Sequence, residues 1–75
     1  MKFSNKLTDA QAERLAILLE EMGEVQQIIG KILRHGYEYG IYNPNLADVV
    51  TNRTLLEEKL GHVIAAGKSC TIEII

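Results

Sequence analysis

Three carboxylates fall within five residues at Glu20-Glu21-Met22-Gly23-Glu24. Acids spaced i and i+3 on a helix converge on one point, which suits a hard divalent cation such as Mg2+, above all one shared with the phosphates of a substrate. The cluster also sets Glu20 and Glu24 as like charges at i and i+4, a cost of roughly 0.2–0.5 kcal/mol to an isolated helix that something should compensate. At about 100° per residue Glu20 lies nearly opposite the apolar stripe of its helix and points to solvent, whereas Glu21 and Glu24 share a flank continued by Ile17 and Ile28. The best-placed stretch to face that flank is Lys59-Leu60-Gly61-His62. It offers an ammonium and an imidazole where a metal site would take acids. Two other arrangements compete: a plain charged flank, and a mixed oxygen and nitrogen site for a transition metal built from Glu58 and His62 with Glu24.

Two helices position these groups. The first opens on Leu7-Thr8-Asp9-Ala10-Gln11, where Thr8 and Gln11 can cap each other reciprocally and Leu7 is placed as a hydrophobic staple. Leu15, Leu18, Met22, Val25, Ile29 and Ile32 then recur at alternating steps of three and four and define a core stripe. Arg34 and His35 suit a last turn, and Gly36 a left-handed stop, so the helix spans about residues 8–35. Gly23 and Gly30 share one side with Ala12 and Ala16, a strip where another helix could approach closely.

The second helix is expected over about residues 52–66, with Thr54 and Glu57 as a second possible capping box and Gly67 as its end. Leu56, Leu60 and Val63 form its apolar stripe. Lys59 and His62 lie on a flank with Leu55 and Ala66, the counterpart of the Ile17-Glu21-Glu24-Ile28 flank. Between the helices runs a long connection, residues 36–51, punctuated by Gly40 and Asn43-Pro44, with one helical turn possible over 45–50. It holds all three tyrosines, Tyr37, Tyr39 and Tyr42, as candidates to stack on a base, meet a partner or cover the end of the core. The last residues, with Ile72, Ile74 and Ile75, lose helical period and read as a short strand, a last turn or an end that docks on a partner.

At 75 residues the chain makes one domain near the size at which a single core barely offsets chain entropy, so two helices are expected to dimerise into a four-helix bundle. The Ile72, Ile74, Ile75 tail and the Gly23/Gly30 strip are the expected contributors to that contact. A net charge of −2 supplies no basic footprint and disfavours nucleic acid. No apolar run reaches a membrane span, the first residues are too polar for a signal peptide, and the one cysteine, Cys70, reads as a small part-buried residue in a reducing cytoplasm.

The run from Leu15 through Glu20-Glu21-Met22-Gly23-Glu24 to Arg34-His35-Gly36, followed by Asn52-Arg53 and Leu56-Glu57-Glu58-Lys59-Leu60-Gly61-His62-Val63, resembles the MazG-type all-α nucleoside triphosphate pyrophosphohydrolases, in particular their short, often phage-borne members. The resemblance covers roughly residues 5–66. It implies an all-α fold in which acids of an EExxE motif and a downstream ExxD motif, on two antiparallel helices of a four-helix assembly, hold Mg2+. The ion positions a triphosphate for attack by water, giving a monophosphate and pyrophosphate. Glu20, Glu21 and Glu24 match the first motif, with Glu21 and Glu24 as its catalytic carboxylates. Lys59 stands where the pattern has Glu, and His62 where it has Asp. The pattern also continues through a further helix beyond about residue 75.

Phosphoryl transfer of this kind depends on metal charge and positioning, so these exchanges imply weakened or absent catalysis. Lys59 would stand in for the cation, pairing with Glu21 and Glu24 together with His62. Lys31, Arg34 and Arg53 are the expected phosphate contacts if a nucleotide binds. Two functions follow. One is a weakened, Mg2+-dependent pyrophosphohydrolase; the other is a non-enzymatic protein that keeps the scaffold and sequesters nucleotides or docks on a host protein.

Overall fold

The computed structural model describes residues 5–71. Helix α1 (Asp9–His35) is joined through β1 (Gly40–Asn43) and β2 (Asp48–Thr51) to helix α2 (Asn52–Thr71). The fold is therefore mostly helical, a hairpin of two helices that pack along each other, with a two-stranded sheet at the turn. The sheet corrects the reading of 36–51 as a loop with a helical turn. No helix among the described residues is long and apolar enough to cross a membrane.

Local chemistry accounts for the start of α1. The Thr8 hydroxyl accepts from the Gln11 N–H at 3.1 Å, and the Gln11 side chain accepts from the Thr8 N–H at 2.9 Å, satisfying two N-terminal donors. At the other end Gly36 donates to the Ile32 carbonyl at 2.7 Å and turns with φ 89° and ψ 168°. That is a glycine region, but not the left-handed helical cap expected at this position.

The antiparallel strands pair Gly40 with Thr51, Ile41 with Val50, Tyr42 with Val49 and Asn43 with Asp48. Their tip is an Asx turn, in which the Asn43 side-chain oxygen accepts from the Asn45 N–H at 3.0 Å, followed by Ala47 at φ 51°. Gly40 is required for packing, because a Cβ there would lie 2.8 Å from the Val50 carbonyl oxygen.

Thr51, not Thr54, caps α2. Its hydroxyl accepts from the Thr54 N–H at 3.2 Å, and the first two helical donors, Asn52 and Arg53, find the carbonyls of Tyr39 (2.8 Å) and Tyr37 (3.0 Å). Residues 37–39 thus lie against the start of α2 and satisfy the N–H groups that would otherwise lack partners. The Asn52 side chain is buried and donates to the Gly36 carbonyl at 3.1 Å, tying the end of α1 to the start of α2.

At its far end α2 does not stop before Gly67. It continues to Thr71, with Ala66, Gly67 and Cys70 half-buried and the Ser69 and Thr71 hydroxyls donating back to Ala66 and Gly67 carbonyls. One glycine inside a helix costs about 1 kcal/mol, less than tertiary cover can offset. The expected tail, Ile72, Ile74 and Ile75, lies outside the described residues.

The core of this hairpin is thin. Ile28, at 6% exposure, is the one buried apolar side chain among the described residues. Of the expected core stripe, Leu18, Val25 and Ile32 are half-buried, whereas Leu15, Met22 and Ile29 remain exposed. The face of α1 that meets α2 is rotated from that stripe toward Ile28, and the rotation carries Glu21 and Glu24 into the contact.

Candidate functional site

Glu21, Glu24 and Ile28 project from successive turns of α1 toward Leu55, Lys59 and His62 of α2. Lys59 Nζ lies 2.9 Å from Glu24 Oε2, and His62 Nδ1 lies 3.4 Å from Glu21 Oε2. The Lys59 and Glu24 side chains are 27% and 35% exposed, too covered to count as a solvated surface pair. Both carboxylate oxygens in these pairs are shut off from solvent and receive no aligned hydrogen bond. What α2 brings to these oxygens is the Lys59 ammonium at Glu24 and a ring nitrogen of His62 at Glu21.

Titration follows from that contact. The Lys59 ammonium, by its approach and its charge, holds the Glu24 carboxyl below its ordinary 4.5 against the opposing pull of partial burial. Glu24 in turn raises Lys59 above its ordinary 10.5. Each group favours the charged form of the other.

Glu20 takes no part. It is exposed on another face of α1, as its helical phase requires. Mg2+ takes a near-octahedral set of oxygens at close range. The face holds two carboxylates, each engaged by a cationic or imidazole partner from α2, and no three His, Cys, Asp or Glu side chains among the described residues converge as a metal-binding group. These residues do not fit the ion. The mixed set of Glu58, His62 and Glu24 does not form either: Glu58 is exposed, and the ring of His62 is directed to Glu21.

Beside the ion pairs lies a cavity of about 290 Å3 lined by Glu24, Gln27, Ile28, Lys31, Leu55 and Lys59. A second, of about 230 Å3, shares Lys31 and Leu55 with it and extends past Arg34, His35 and Tyr39 to Ile41, Val50 and Asn52. The two make one groove along the hairpin junction. Cations line its middle and an aromatic and aliphatic end closes it toward the sheet.

No protein-family model, curated protein or solved structure matches this chain.

Of the three basic residues expected to meet phosphate, Lys31 and Arg34 line this groove, and Arg53 is committed elsewhere. Its Nε donates to Glu38 Oε1 at 2.7 Å and its guanidinium lies over the Tyr37 ring at 4.5 Å. That carboxylate holds the Arg53 pKa above its ordinary value. Among the tyrosines, Tyr37 serves this clasp, Tyr39 stacks on His35 with centroids 4.8 Å apart, and Tyr42 stands exposed on β1.

Sequence reasoning missed Asn52 as the joint that shapes the groove. An asparagine in the first turn of a helix, directly after its cap, is a usable signal, since its side chain commonly bonds backbone groups outside the helix. It also missed Gln27, which follows from the same helical phase as Glu24 and Lys31.

Proposed function

We propose that this chain carries a MazG-like helical scaffold whose metal chemistry has given way to an internal ion-pair cluster, and that it binds a nucleotide-class ligand without hydrolysing it. The observation that carries the reading is the Lys59 ammonium 2.9 Å from Glu24, with His62 at Glu21, on the face where the resemblance places the acids of an Mg2+ site. A lysine supplies positive charge locally and a histidine a ring nitrogen, but neither can bridge a triphosphate to the protein as a shared cation does.

The groove supports the ligand class. Lys31 and Arg34 offer charge for phosphate, and Tyr39, Ile41, Val50 and Leu55 offer a flat apolar end for a base. The same proposal includes assembly of two chains into a four-helix bundle.

Calorimetric titration with nucleoside triphosphates in EDTA, beside pyrophosphate release in Mg2+, tests the reading. Binding in EDTA, no turnover in Mg2+, and at least a roughly tenfold weaker affinity in Lys31→Ala/Arg34→Ala are expected. Turnover by the unaltered chain, or no nucleotide binding at millimolar concentration, would overturn it.

A further inference from the structure

We infer that the outer face of α1 is a coiled-coil-like seam that packs against a second copy of this chain. The inference rests on the proposed dimer and names the surface that makes it. Leu15, Leu19, Met22, Gln26, Ile29 and Leu33 follow one another at steps of four, three, four, three and four, the a/d spacing of a heptad repeat. All of these side chains remain exposed beside α2. Leu33 is 82% exposed and Leu19 70%, and Leu15, Met22 and Ile29 are also open to solvent.

The two flanks of the seam differ in a way that suits a helix as occupant. One flank, Leu18, Val25 and Ile32, is half-buried in the hairpin. The other is Ala16, Gly23 and Gly30, and a Cβ built at Gly23 would meet nothing within 4 Å. The open space at Gly23 lets a partner backbone come close, while at Gly30 the Arg34 guanidinium lies 3.7 Å from where a Cβ would stand. From α2, the exposed Leu60 and Ile64 widen the patch, and a recess of about 200 Å3 between Met22, Val25, Gln26, Leu60 and Val63 is shaped to take an incoming aliphatic side chain.

The exposed area is of the size a second copy would cover. The chain exposes 6247 Å2. A compact monomer of its mass exposes about 4,600 Å2, an excess of roughly 1,600 Å2 per chain. Obligate homodimers bury about 1,000–2,500 Å2 per partner, the range that would absorb this excess. The seam carries no charge and spans about 27 Å of helix, so its complement is an uncharged apolar stripe of equal length. This chain supplies one, and a two-fold axis makes the contact self-complementary. Gln26, the one polar seam residue, lies near the middle, where its amide fixes register by bonding across the interface.

Size-exclusion chromatography with light scattering, with helix content followed by circular dichroism, tests this on the full chain. The unaltered protein is expected to run as a dimer at micromolar concentration. Leu19→Lys/Leu33→Lys is expected to run as a monomer, and the milder Leu19→Ala/Leu33→Ala, which keeps helix propensity, to raise the dimer dissociation constant at least about a hundredfold. Leu46→Lys, an equally exposed apolar site at the tip of the sheet, is expected to leave the dimer intact. A dimer that survives both seam variants would overturn the seam while leaving dimerisation standing. A monomeric parent chain at 100 micromolar (about 10⁻⁴ M, where even weak specific pairs associate) would overturn both, including the case in which the patch instead takes up lipid or another protein.

Discussion

The two long faces of α1 are built from opposite materials. Toward α2 the helix presents Glu21 and Glu24, paired with His62 and Lys59 around the buried Ile28. Away from α2 it presents leucine, methionine and isoleucine to solvent. In an isolated hairpin this is inverted, since charge brought together costs desolvation and exposed apolar surface forgoes burial. The inversion resolves if the charged face descends from a site and the apolar face is the unfinished half of a core. A radius of gyration of 16.1 Å, against about 11 Å for a compact domain of this length, fits a half-core shape.

The comparison breaks most visibly at Ile28. If the inner face depends on this side chain for its apolar contact, Ile28→Ala lowers stability by about 2–5 kcal/mol, read from urea unfolding at fixed protein concentration. A loss below 1 kcal/mol would show that the inner face is held by something else. Asn52→Ala comes next, at about 1–3 kcal/mol, because it leaves the Gly36 carbonyl without its donor inside the joint. That variant should also raise amide exchange across β1 and β2, a readout that Ile28→Ala should not mimic selectively.

The ion pairs sharpen the comparison through pH. Glu24 has its pKa lowered, so its contribution is present above 4.5 and is lost as pH falls through the depressed folded-state value. Lys59 has its pKa raised, so its contribution is present below 10.5 and is lost as pH rises through the elevated folded-state value. Urea midpoints should therefore hold between these limits and fall outside both. In Glu24→Gln/Lys59→Met the part of each limb that these two groups supply should vanish, leaving a flatter profile; an unchanged profile would mean that the pair carries no linkage. Lys59→Met alone should destabilise more than His62→Ala, because the 2.9 Å contact is lost in the first and the looser 3.4 Å contact in the second.

The smallest effect belongs to the outer face. Leu33→Ala should change the stability of the dissociated hairpin by less than about 0.5 kcal/mol, since the side chain is 82% exposed, while still weakening assembly. Unfolding at concentrations above and below the dimer dissociation constant separates the two.

What could be read from the sequence followed the range of the signal. Thr8 with Gln11 and the glycine at residue 36 are local, and they mark α1 to within a residue at its start. Helical phase puts Glu21 with Glu24 on one flank and Lys59 with His62 on another, and the pairing of the two flanks was what the resemblance implied. The sheet was not visible, because Ile41-Tyr42 and Val49-Val50 are too short to show alternation. The β-branched run Val49-Val50-Thr51 and the Asn43-Pro44-Asn45 turn were the signals available. Gly67 misled because a glycine stop and a glycine inside a covered helix look alike until the neighbours are known. The outer seam was hidden by overlap: Leu15, Met22 and Ile29 belong both to the stripe 15, 18, 22, 25, 29, 32 and to the stripe 15, 19, 22, 26, 29, 33, and only structure shows which half α2 covers.

The central claim is that Lys59 and His62 stand in place of a cation between the helices. Mn2+ binding, followed by electron paramagnetic resonance, tests it most directly on the unaltered chain beside Lys59→Glu/His62→Asp. The account predicts no stoichiometric Mn2+ binding by the parent and saturable binding at one site by the double variant, abolished by adding Glu24→Gln. Equal Mn2+ binding by parent and double variant would contradict it, because the lysine and histidine would then not be occupying the place of the ion.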